Sequence, residues 1–389
     1  MKVDGSFLEA TLRDLVAIDS INPDLVEGAP GEAEIAAYLS DAFESMGLET
    51  RVHEAAPGRP SVVARIPGTG DGPTMMWNGH VDTVGVEGME SPFEPRVEDG
   101  RLYGRGAYDM KGSVAAMVAA AKALVDSGTA PAGDLVIACV ADEETRSRGT
   151  VDVLERYAID GAIVTEPTQM DLCLAHKGFV WIEVETAGRA AHGSRFQEGV
   201  DANLRMGRVL TRIEALERDL RGREPHPLVG PPSLHVATLD GGTGWSTYAD
   251  RCVLGIERRT VPGETDASAL GEVESILEAL RDDDPDLEVG ARIVFSREPF
   301  EADPDGRVAA AVRSAAEEVS GSPPAVRGET YWMDAALCAA VGIDTVVIGP
   351  VGEGAHAVEE WVDLESCARL AAVLARATGT YGSGGTSRT

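Results

Sequence analysis

Five dispersed segments of the sequence each carry side chains of the kind that bind a divalent metal ion. They are Asn78-Gly79-His80-Val81-Asp82, Ala107-Tyr108-Asp109-Met110-Lys111-Gly112, Ala141-Asp142-Glu143-Glu144, Val164-Thr165-Glu166-Pro167 and Gly354-Ala355-His356-Ala357. Two histidines with several carboxylates form a nitrogen and oxygen ligand set that suits Zn²⁺ or a similar ion. Any one of these residues alone would more often be a surface acid or an ordinary histidine. It is the set that predicts a metal site.

Hydrolysis with two metal ions requires a carboxylate that bridges the ions, further ligands on each ion and a base for the water between them. Asp109 lies just before a helix that is predicted to start after Gly112, a position well suited to bridging. His80 and Asp82 flank Val81, so their side chains point to the same side of an extended segment. We therefore expect His80 to bind metal and the Asp82 carboxylate to orient it, a common arrangement for metal-bound histidines.

Glu143 and Glu144 are adjacent, and adjacent side chains diverge in an extended chain. One of them can therefore bind metal while the other faces the water. Nearby negative charge raises the proton affinity of the carboxylate that has no metal, which suits a general base. The residues alone leave open which glutamate has which role.

Most of these segments close short apolar runs that predict buried strands, at residues 74–78, 135–140 and 162–165. Continuous apolar runs of this length are typical of strands buried on both faces. Helical periodicity at residues 7–16, 31–46 and 112–125 alternates with the strands. The pattern predicts an α/β domain with a mostly parallel sheet and helices on both faces. Such sheets bind ligands outside the carboxyl ends of their strands.

After Lys177 the pattern changes to the order βαββαβ, which is typical of a ferredoxin-like layer that folds as a unit. The predicted strands are residues 179–186, 233–239, 251–257 and 287–295, with helices over 200–220 and 270–280. Residues 308–319 and 345–348 then resume helix and buried strand. We therefore predict one domain of residues 1–177 and 296–389, into which a second domain of residues 178–295 is inserted. A length of 389 residues also favours two domains.

The formal net charge of −31 argues against a nucleic-acid partner, because phosphate binding needs a basic surface. We interpret the acidity as a solvated surface rather than a specific acidic function. It does not predict the charge of the substrate, since the local field of a pocket decides that. No apolar run approaches the ~18 to 20 residues of a membrane span, so no membrane partner is expected.

The compartment is predicted from the first residues and from the cysteines. Residues 1–6 contain an early acid and no apolar core of a signal peptide. The five cysteines are odd in number, far apart and without a C-x-x-C pair, which predicts buried free thiols in a reducing cytoplasm. Residues 382–389 are rich in Gly, Ser and Thr and are predicted to be disordered.

The five segments together resemble the zinc-dependent aminoacylase/carboxypeptidase family that includes acetylornithine deacetylase, succinyl-diaminopimelate desuccinylase and glutamate carboxypeptidase. The resemblance covers nearly the whole chain. It implies two divalent metal ions per subunit, with Zn²⁺ first and Co²⁺ or Mn²⁺ as alternatives. The implied ligands are His80 and Glu166 for one ion, Glu144 and His356 for the other, and Asp109 between them. It further implies that Glu143 is the general base, which later protonates the leaving amine, and that Glu360 supports the ligands from behind.

The inserted domain also resembles its counterpart in that family. Ala191-His192-Gly193-Ser194 is similar to a lid motif whose histidine reaches the active site of the partner subunit. This implies a lid and dimerisation domain at residues 178–295, a homodimer through it, and a hydrogen bond from His192 to the oxyanion. Arg259 matches the family arginine that holds the substrate's α-carboxylate. Taken alone, His192 would be an ordinary loop residue and Arg259 a surface arginine paired with Glu257.

Four positions depart from the family pattern, and all lie near the expected substrate pocket rather than the metals. They are Ser246, where a substrate-contacting Asn is usual, Ala249 and Phe196, where Pro is common, and Val351, which replaces a Gly. The residues expected to carry out hydrolysis therefore match the family pattern, whereas the identity of the substrate is left open. Four aromatic residues either make the pocket bulkier or are ordinary packing residues, and these are Trp245, Tyr248, Tyr331 and Trp332.

The resulting hypothesis is a cytoplasmic dinuclear-metal amidohydrolase that cleaves an N-acyl-L-amino acid, as acetylornithine deacetylase does. The alternatives are a metallo-dipeptidase or carboxypeptidase, or a succinyl-diaminopimelate desuccinylase, since each acts on an amide beside a free carboxylate. A non-catalytic binding protein would be favoured if the base or a ligand were missing, and neither is. A dehydrogenase or transaminase would need a phosphate cradle, and Gly104-Arg105-Gly106 is too short for a dinucleotide fingerprint.

Overall fold

The structure is a computed structural model that describes residues 2–70 and 72–382. The tail predicted to be disordered lies, from residue 383 on, outside the described residues. The chain divides into two compact units. The described residues of Met1–Leu174, Ala302–Arg327 and Met333–Thr389 form the first, and Ala175–Glu301 with Gly328–Trp332 form the second. The sequence predicts division after residues 177 and 295, and does not predict that residues 328–332 join the second unit.

The secondary structure alternates helices and strands as expected. The helices are α1 (Gly5–Ala17), α2 (Ala33–Ser45), α3 (Gly112–Ser127), α4 (Arg148–Arg156), α5 (Ala202–Gly222), α6 (Asp266–Asp283), α7 (Arg307–Ser320), α8 (Ala335–Ala340) and α9 (Leu364–Tyr381). The strands are β1 (Glu49–Glu54), β2 (Pro60–Ile66), β3 (Met75–His80), β4 (Arg96–Glu98), β5 (Arg101–Tyr103), β6 (Leu135–Val140), β7 (Gly161–Val164), β8 (Leu172–His176), β9 (Gly178–Ala187), β10 (Ser233–Gly241), β11 (Arg251–Thr260), β12 (Val289–Arg297), β13 (Phe300–Glu301), β14 (Val326–Glu329), β15 (Asp344–Val347), β16 (Gly352–Glu353) and β17 (Trp361–Asp363). One π-helical turn, Ala107–Lys111, immediately precedes α3.

The main sheet of the first unit has the order β1-β2-β6-β3-β7-β15-β8. Its centre is parallel, because β6, β3, β7 and β15 pair in parallel in that order. The outer pairs are antiparallel. The prediction of an α/β fold with a parallel sheet is therefore confirmed for the centre, and the antiparallel edges are an addition that only the strand pairing reveals.

The connections around β3 explain how helices come to lie on both faces. From β3 the chain passes through α3 to β6 on one side, and from β6 it passes through α4 to β7 on the other side of β3. Right-handed crossovers that move in opposite directions place their helices on opposite faces of the sheet. The strand order reverses at β3, and the crevice at such a reversal is where open α/β sheets bind ligands.

Helix α3 carries Asp109 at its entrance and is buried around nearly its whole circumference. Its sequence is dominated by Ala and Val, so its small side chains allow close packing against α1 and α9. The helix ends at Gly128, which takes the left-handed conformation with φ 66° that glycine adopts without steric cost. Helix α3, which begins just after Asp109, is therefore held in the core of the first unit.

The second unit has the predicted order β9-α5-β10-β11-α6-β12. Its strands form an antiparallel sheet in the order β10-β11-β9-β12. One face packs on α5 and α6 through a core that includes Val180, Ile182 and Val184. The intervening residues of β9 alternate to the other face, as the period of a strand requires. This arrangement is the ferredoxin-like layer that the sequence predicts.

Two further expectations concern the environment of the chain. Within residues 2–70 and 72–382, no helix combines the length and apolarity that a membrane crossing needs. All five cysteines are free and buried, as predicted. The cytoplasmic location stays a prediction.

Candidate metal centre

Three neighbouring parallel strands deliver their carboxyl ends to one edge of the main sheet. His80 is the last residue of β3, Glu143 and Glu144 follow β6, and Glu166 follows β7. Their meeting is the direct result of strand order β6-β3-β7. His356 comes from a different place, the loop between β16 and β17 of a small sheet, rather than from the end of a main-sheet strand.

The first cluster of possible metal ligands consists of His80, Asp109 and Glu166, whose donor atoms lie within 4.8 Å of one another. His80 Nε2 is 3.0 Å from Asp109 Oδ1 and 3.5 Å from Glu166 Oε1. His80 Nδ1 donates to the main-chain carbonyl of Asp82 at 2.9 Å, which leaves Nε2 directed at the carboxylates. The imidazole is thus held with its ligating nitrogen in the cluster.

The second cluster consists of Asp109, Glu144 and His356, again with donor atoms within 4.8 Å of one another. His356 Nε2 is 3.4 Å from Asp109 Oδ2 and 3.1 Å from Glu144 Oε2. Asp109 belongs to both clusters and directs one oxygen at each histidine. The structure brings together all five ligands expected from the sequence, and their binding of metal stays a prediction.

Glu360 holds the Asp109 segment from behind, as the family resemblance implies. Its buried carboxylate accepts hydrogen bonds from the backbone N–H groups of Gly106, Tyr108 and Asp109, each at 2.9 Å. It also accepts from Arg105 Nη1 at 2.7 Å. The Asp109–Met110 peptide bond in this segment is cis. The hydrogen bonds of Glu360, a residue far away in the sequence, thus position the carboxylate of Asp109 that the two clusters share.

The protonation equilibria of the clusters show an excess of negative charge. Burial raises the pKa of Glu144, and it holds the pKa of Glu166 well above its ordinary value. Hydrogen bonds to Asp109 and Glu144 raise the pKa of His356 to about 10. Burial opposes the charged form of His80, yet Glu166 and Asp109 raise its pKa well above its ordinary value. Carboxylates that draw protons to themselves and to neighbouring imidazoles are a donor set that fits two divalent cations.

Glu143 differs from Glu144 in its surroundings. It belongs to neither ligand cluster, and among the described residues its carboxylate has no hydrogen-bond partner. Burial, and then the negative charge of Glu166, hold its pKa well above its ordinary value. A carboxylate that is next to the ligands but not one of them is suited to accept a proton from water.

Asp82 contributes in a different form from the one expected. Its carboxylate lies 3.7 Å from His80 Nδ1, beyond hydrogen-bond distance, and its main-chain carbonyl orients the imidazole instead. The carboxylate accepts the backbone N–H groups of Glu143 at 3.1 Å and Glu144 at 3.2 Å. The turn after β6 leaves these N–H groups without a strand partner, and Asp82 satisfies them. Asp82 thus positions the two glutamates.

Two residues of the centre have left-handed backbone conformations, Asp142 with φ 72° and His356 with φ 62°. Residues other than glycine rarely adopt this region, and such outliers concentrate at functional sites. Asp142 immediately precedes Glu143, and His356 is itself an expected ligand. The backbone strain therefore coincides with the residues of the centre.

Sequence reasoning missed three buried polar residues around the centre. Asn22 Nδ2 donates to Asp82 Oδ2 at 2.8 Å, and Asp334 accepts from Thr150. Arg105 joins Glu360 to the loop of His356, because its Nη2 donates to the Ala357 carbonyl at 3.0 Å. Only Asn22 carried a local signal, since Asn-Pro marks a turn. The other contacts span long sequence separations that no local pattern contains.

A buried ion pair stabilises the loop that carries Glu143. Arg59 forms a two-point contact with Glu32 at 2.6 and 2.8 Å, and its Nη2 lies 3.1 Å from Asp142 Oδ1. The Arg59 and Glu32 side chains are 5% and 0% exposed. The pair is therefore the kind whose single members cannot be removed without leaving a buried charge.

We expect Arg59→Met to lower the free energy of unfolding by about 3 to 5 kcal/mol, because it leaves Glu32 buried without its cation. Denaturant unfolding of the metal-loaded protein measures the change. Arg65→Met is the matched control, since Arg65 pairs with Asp134 at a site 40% exposed, and exposed pairs contribute less than about 1 kcal/mol. Equal effects of the two substitutions would contradict a special role for the buried pair.

The remaining predicted site residues lie in the second unit. His192 is exposed, and its Nδ1 accepts from the backbone N–H of Ser194 at 3.2 Å, so in the neutral ring Nε2 carries the proton. The Ser246 carbonyl accepts from Gly193 N–H at 2.8 Å. Arg259 Nε donates to Glu257, which is the alternative contact considered from the sequence, and its guanidinium carbon lies 5.4 Å from the centre of the Phe179 ring.

The positions that depart from the family pattern, and the aromatic residues considered with them, are found in varied surroundings. Phe196 is 71% exposed, Trp245 is fully exposed and Ala249 is buried. Trp332 contacts Phe179 edge-on, with ring centres 6.5 Å apart. Val351 lies in the first unit, where its N–H donates to Ser366 Oγ at 2.9 Å. Exposure of Trp245 argues that it is not a packing residue within the chain.

Known proteins are similar to this chain over nearly its full length. An acetylornithine deacetylase of Myxococcus xanthus is 30% identical over 385 residues, which cover 96% of this chain and 97% of that protein. An N-formyl-4-amino-5-aminomethyl-2-methylpyrimidine deformylase of Bacillus subtilis (strain 168) is 27% identical over 372 residues, 87% and 86% of the two chains.

Solved structures show the same fold. A dinuclear metal-binding peptidase of Bacillus subtilis from the M20 family superposes with a TM-score of 0.75 at 16% identity, over 97% of this chain and 98% of the other. The sequence profile described as Peptidase family M20/M25/M40 matches residues 76–379. With a matching profile over most of its length and a relative of 30% identity, the chain belongs to peptidase family M20/M25/M40 and is a metal-dependent hydrolase.

Proposed function

We propose that the protein hydrolyses the amide bond of an N-acyl-L-amino acid, with acetylornithine-like substrates first. The observation that carries this proposal is the pair of ligand clusters that share Asp109, with the Glu143 carboxylate beside them and outside both. Divalent cations held by these clusters would supply the chemistry for hydrolysis of an amide by water. The 30% identity to an acetylornithine deacetylase supports the choice of substrate class.

His80 and Glu166 would hold one divalent ion, Glu144 and His356 the other, and Asp109 both. The ions, when bound, would polarise the amide carbonyl and lower the pKa of the attacking water. Zn²⁺ is our first choice, because imidazole and carboxylate suit it, and Co²⁺ and Mn²⁺ accept the same donors.

Glu143 would take a proton from the water as its oxygen attacks the carbonyl carbon. The same carboxyl group would then pass this proton to the amide nitrogen as the C–N bond breaks, releasing a carboxylate and a free amine. The carboxylate of Asp82 would keep Glu143 in place for both steps, because it accepts the N–H groups of Glu143 and Glu144. A carboxylate with no hydrogen-bond partner among the described residues and a raised pKa supports this two-way role.

Arg259 would bind the α-carboxylate of the substrate. We expect Arg259→Ala to raise KM about ten- to a hundredfold with a smaller effect on kcat, because a contact made equally in the ground and transition states affects binding. Arg251→Ala on the same strand is the matched control, since Arg251 makes an exposed pair with Glu185 at 2.7 Å. Loss of kcat with unchanged KM would contradict a binding role for Arg259.

We further propose a homodimer through the second unit, in which the Nε2–H group of His192 donates a hydrogen bond to the oxyanion in the partner's site. The exposure of His192 supports this, as does strand β10 at the edge of its sheet with Val236 and Leu239 exposed. Mixing inactive His192→Ala and Glu143→Ala proteins tests the idea. Recovered activity is expected if His192 acts across subunits, and its absence, with a dimer seen by light scattering, would refute it.

Turnover tests the proposed function directly. Metal-reconstituted protein is offered N-acetyl, N-succinyl and aromatic N-acyl amino acids, dipeptides, and the formylated aminomethylpyrimidine named for the Bacillus subtilis relative. We expect release of free amine from N-acyl amino acids, abolished by chelator and restored by added metal. Preference for dipeptides would favour the peptidase alternative. Turnover that resists chelation would contradict the proposal.

A further inference from the structure

The face of the second unit's sheet that points away from α5 and α6 carries an ordered block of aromatic and charged side chains. In one cross-strand row Phe179 on β9 pairs with Arg259 on β11 and with Arg297 on β12. In the next row Trp181 pairs with Glu257 and with Phe295. Side chains two residues apart on a strand share a face, so the six form two adjacent rows on one surface.

A β-bulge creates this surface. On β12, Val289, Ala291 and Ile293 pack against the helical core, and regular alternation would direct Phe295 to the core as well. The register shifts between Ile293 and Phe295, and a bulge of this kind reverses which side a residue faces. Phe295 therefore lies against Trp181 and Phe179 on the open side, with ring centres 5.5 and 5.9 Å away.

Arg259 is held ready to bind an anion. Its Nε donates to Glu257, whose second oxygen accepts from Trp181 Nε1 at 3.1 Å, and its guanidinium lies by the ring of Phe179. Neither terminal nitrogen of Arg259 has an acceptor among the described residues. A preoriented guanidinium whose two terminal NH2 groups are unsatisfied is suited to a carboxylate.

The aromatic rings beside Arg259 are accessible. Trp181 is 44% exposed, and Phe179, Phe295 and Trp332 are half-buried. Aromatic side chains give large apolar contact and favour offset or edge-on contact with another ring. The surface thus combines a carboxylate site with an adjoining aromatic site.

We propose that this surface binds the aromatic side chain of an N-acyl amino acid substrate, with its α-carboxylate on Arg259 and its ring against Trp181 and Phe295. This inference rests on the proposed function and names the substrate class within it. The charge of the ligand agrees with this assignment, because the Nε of Arg259 is held by Glu257 and its terminal nitrogens have no acceptor among the described residues.

The test compares N-acetyl-L-phenylalanine with N-acetyl-L-alanine on the full-length, metal-loaded protein. Wild-type kcat/KM should favour the phenylalanine substrate by about tenfold or more, which corresponds to ~1.4 kcal/mol of selective contact. Trp181→Ala and Phe295→Ala should bring the ratio close to one, and Trp181→Phe should keep most of it. Leu204→Ala, at a residue 73% exposed on α5, is the control and should leave the ratio unchanged.

Binding separates this inference from the proposed function. Titration calorimetry with the Glu143→Gln protein should show tighter binding of N-acetyl-L-phenylalanine than of N-acetyl-L-alanine, and loss of that difference when Trp181→Ala is added. Selective binding without any turnover in the wild type would refute the proposed function and retain the aromatic site. No preference in the wild type, or a preference that survives both alanine substitutions, would overturn the inference even if N-acyl amino acids are hydrolysed.

Discussion

Glu143→Gln is expected to reduce kcat by about a hundredfold to ten-thousandfold, the usual contribution of a general base, while the protein keeps both metal ions. The amide that replaces the carboxylate cannot take a proton from water. Metal binding should persist because Glu143 belongs to neither ligand cluster. Steady-state kinetics and metal analysis of the same preparation measure the two quantities.

Glu144→Gln is the matched comparison for this experiment, because the two residues are adjacent and both N–H groups donate to Asp82. Its side chain lies 3.1 Å from His356, so this substitution should release one metal ion. If Glu143→Gln lost metal and Glu144→Gln kept it, the roles of the two glutamates would have to be exchanged.

Asp109→Ala is expected to remove both metal ions and all measurable turnover. Asp109 is the member common to both clusters, with Oδ1 3.0 Å from His80 and Oδ2 3.4 Å from His356. Burial opposes its ionisation, yet hydrogen bonds from His356 and His80 hold its pKa well below its ordinary range. It therefore stays charged at all physiological pH values, as a shared ligand must. Elemental analysis after exhaustive dialysis counts the ions retained.

His356→Ala supplies the contrast, because His356 belongs to one cluster only. It should lose a single ion and keep the one held by His80, Asp109 and Glu166. Circular dichroism of both variants checks that the fold is intact. Retention of one tightly bound ion by Asp109→Ala would show that the carboxylate is not shared between the two sites.

The sequence determined the chemistry and the class of fold. Short apolar runs ending in His80, before Glu143 and before Glu166 predict parallel strands, and such strands deliver their ends to a common edge. Both inferences follow from local patterns, since burial on two faces requires continuous apolar residues. The βαββαβ order of the second unit was readable for the same reason, and the family resemblance agrees with the sequence profile over residues 76–379.

Only the tertiary structure shows which atoms of the centre lie in contact. The position of Glu143 outside both ligand clusters, the carbonyl rather than carboxylate contact of Asp82 to His80, and the support from Arg105 depend on contacts between distant segments. The two cross-strand rows that contain Arg259 and Trp181, on the open face of the second unit's sheet, depend on strand register and on one bulge. Local composition does not encode either. Side-chain types and their periodicity are properties of the chain, whereas distances of 3 Å arise only when the whole core packs and places the strands side by side.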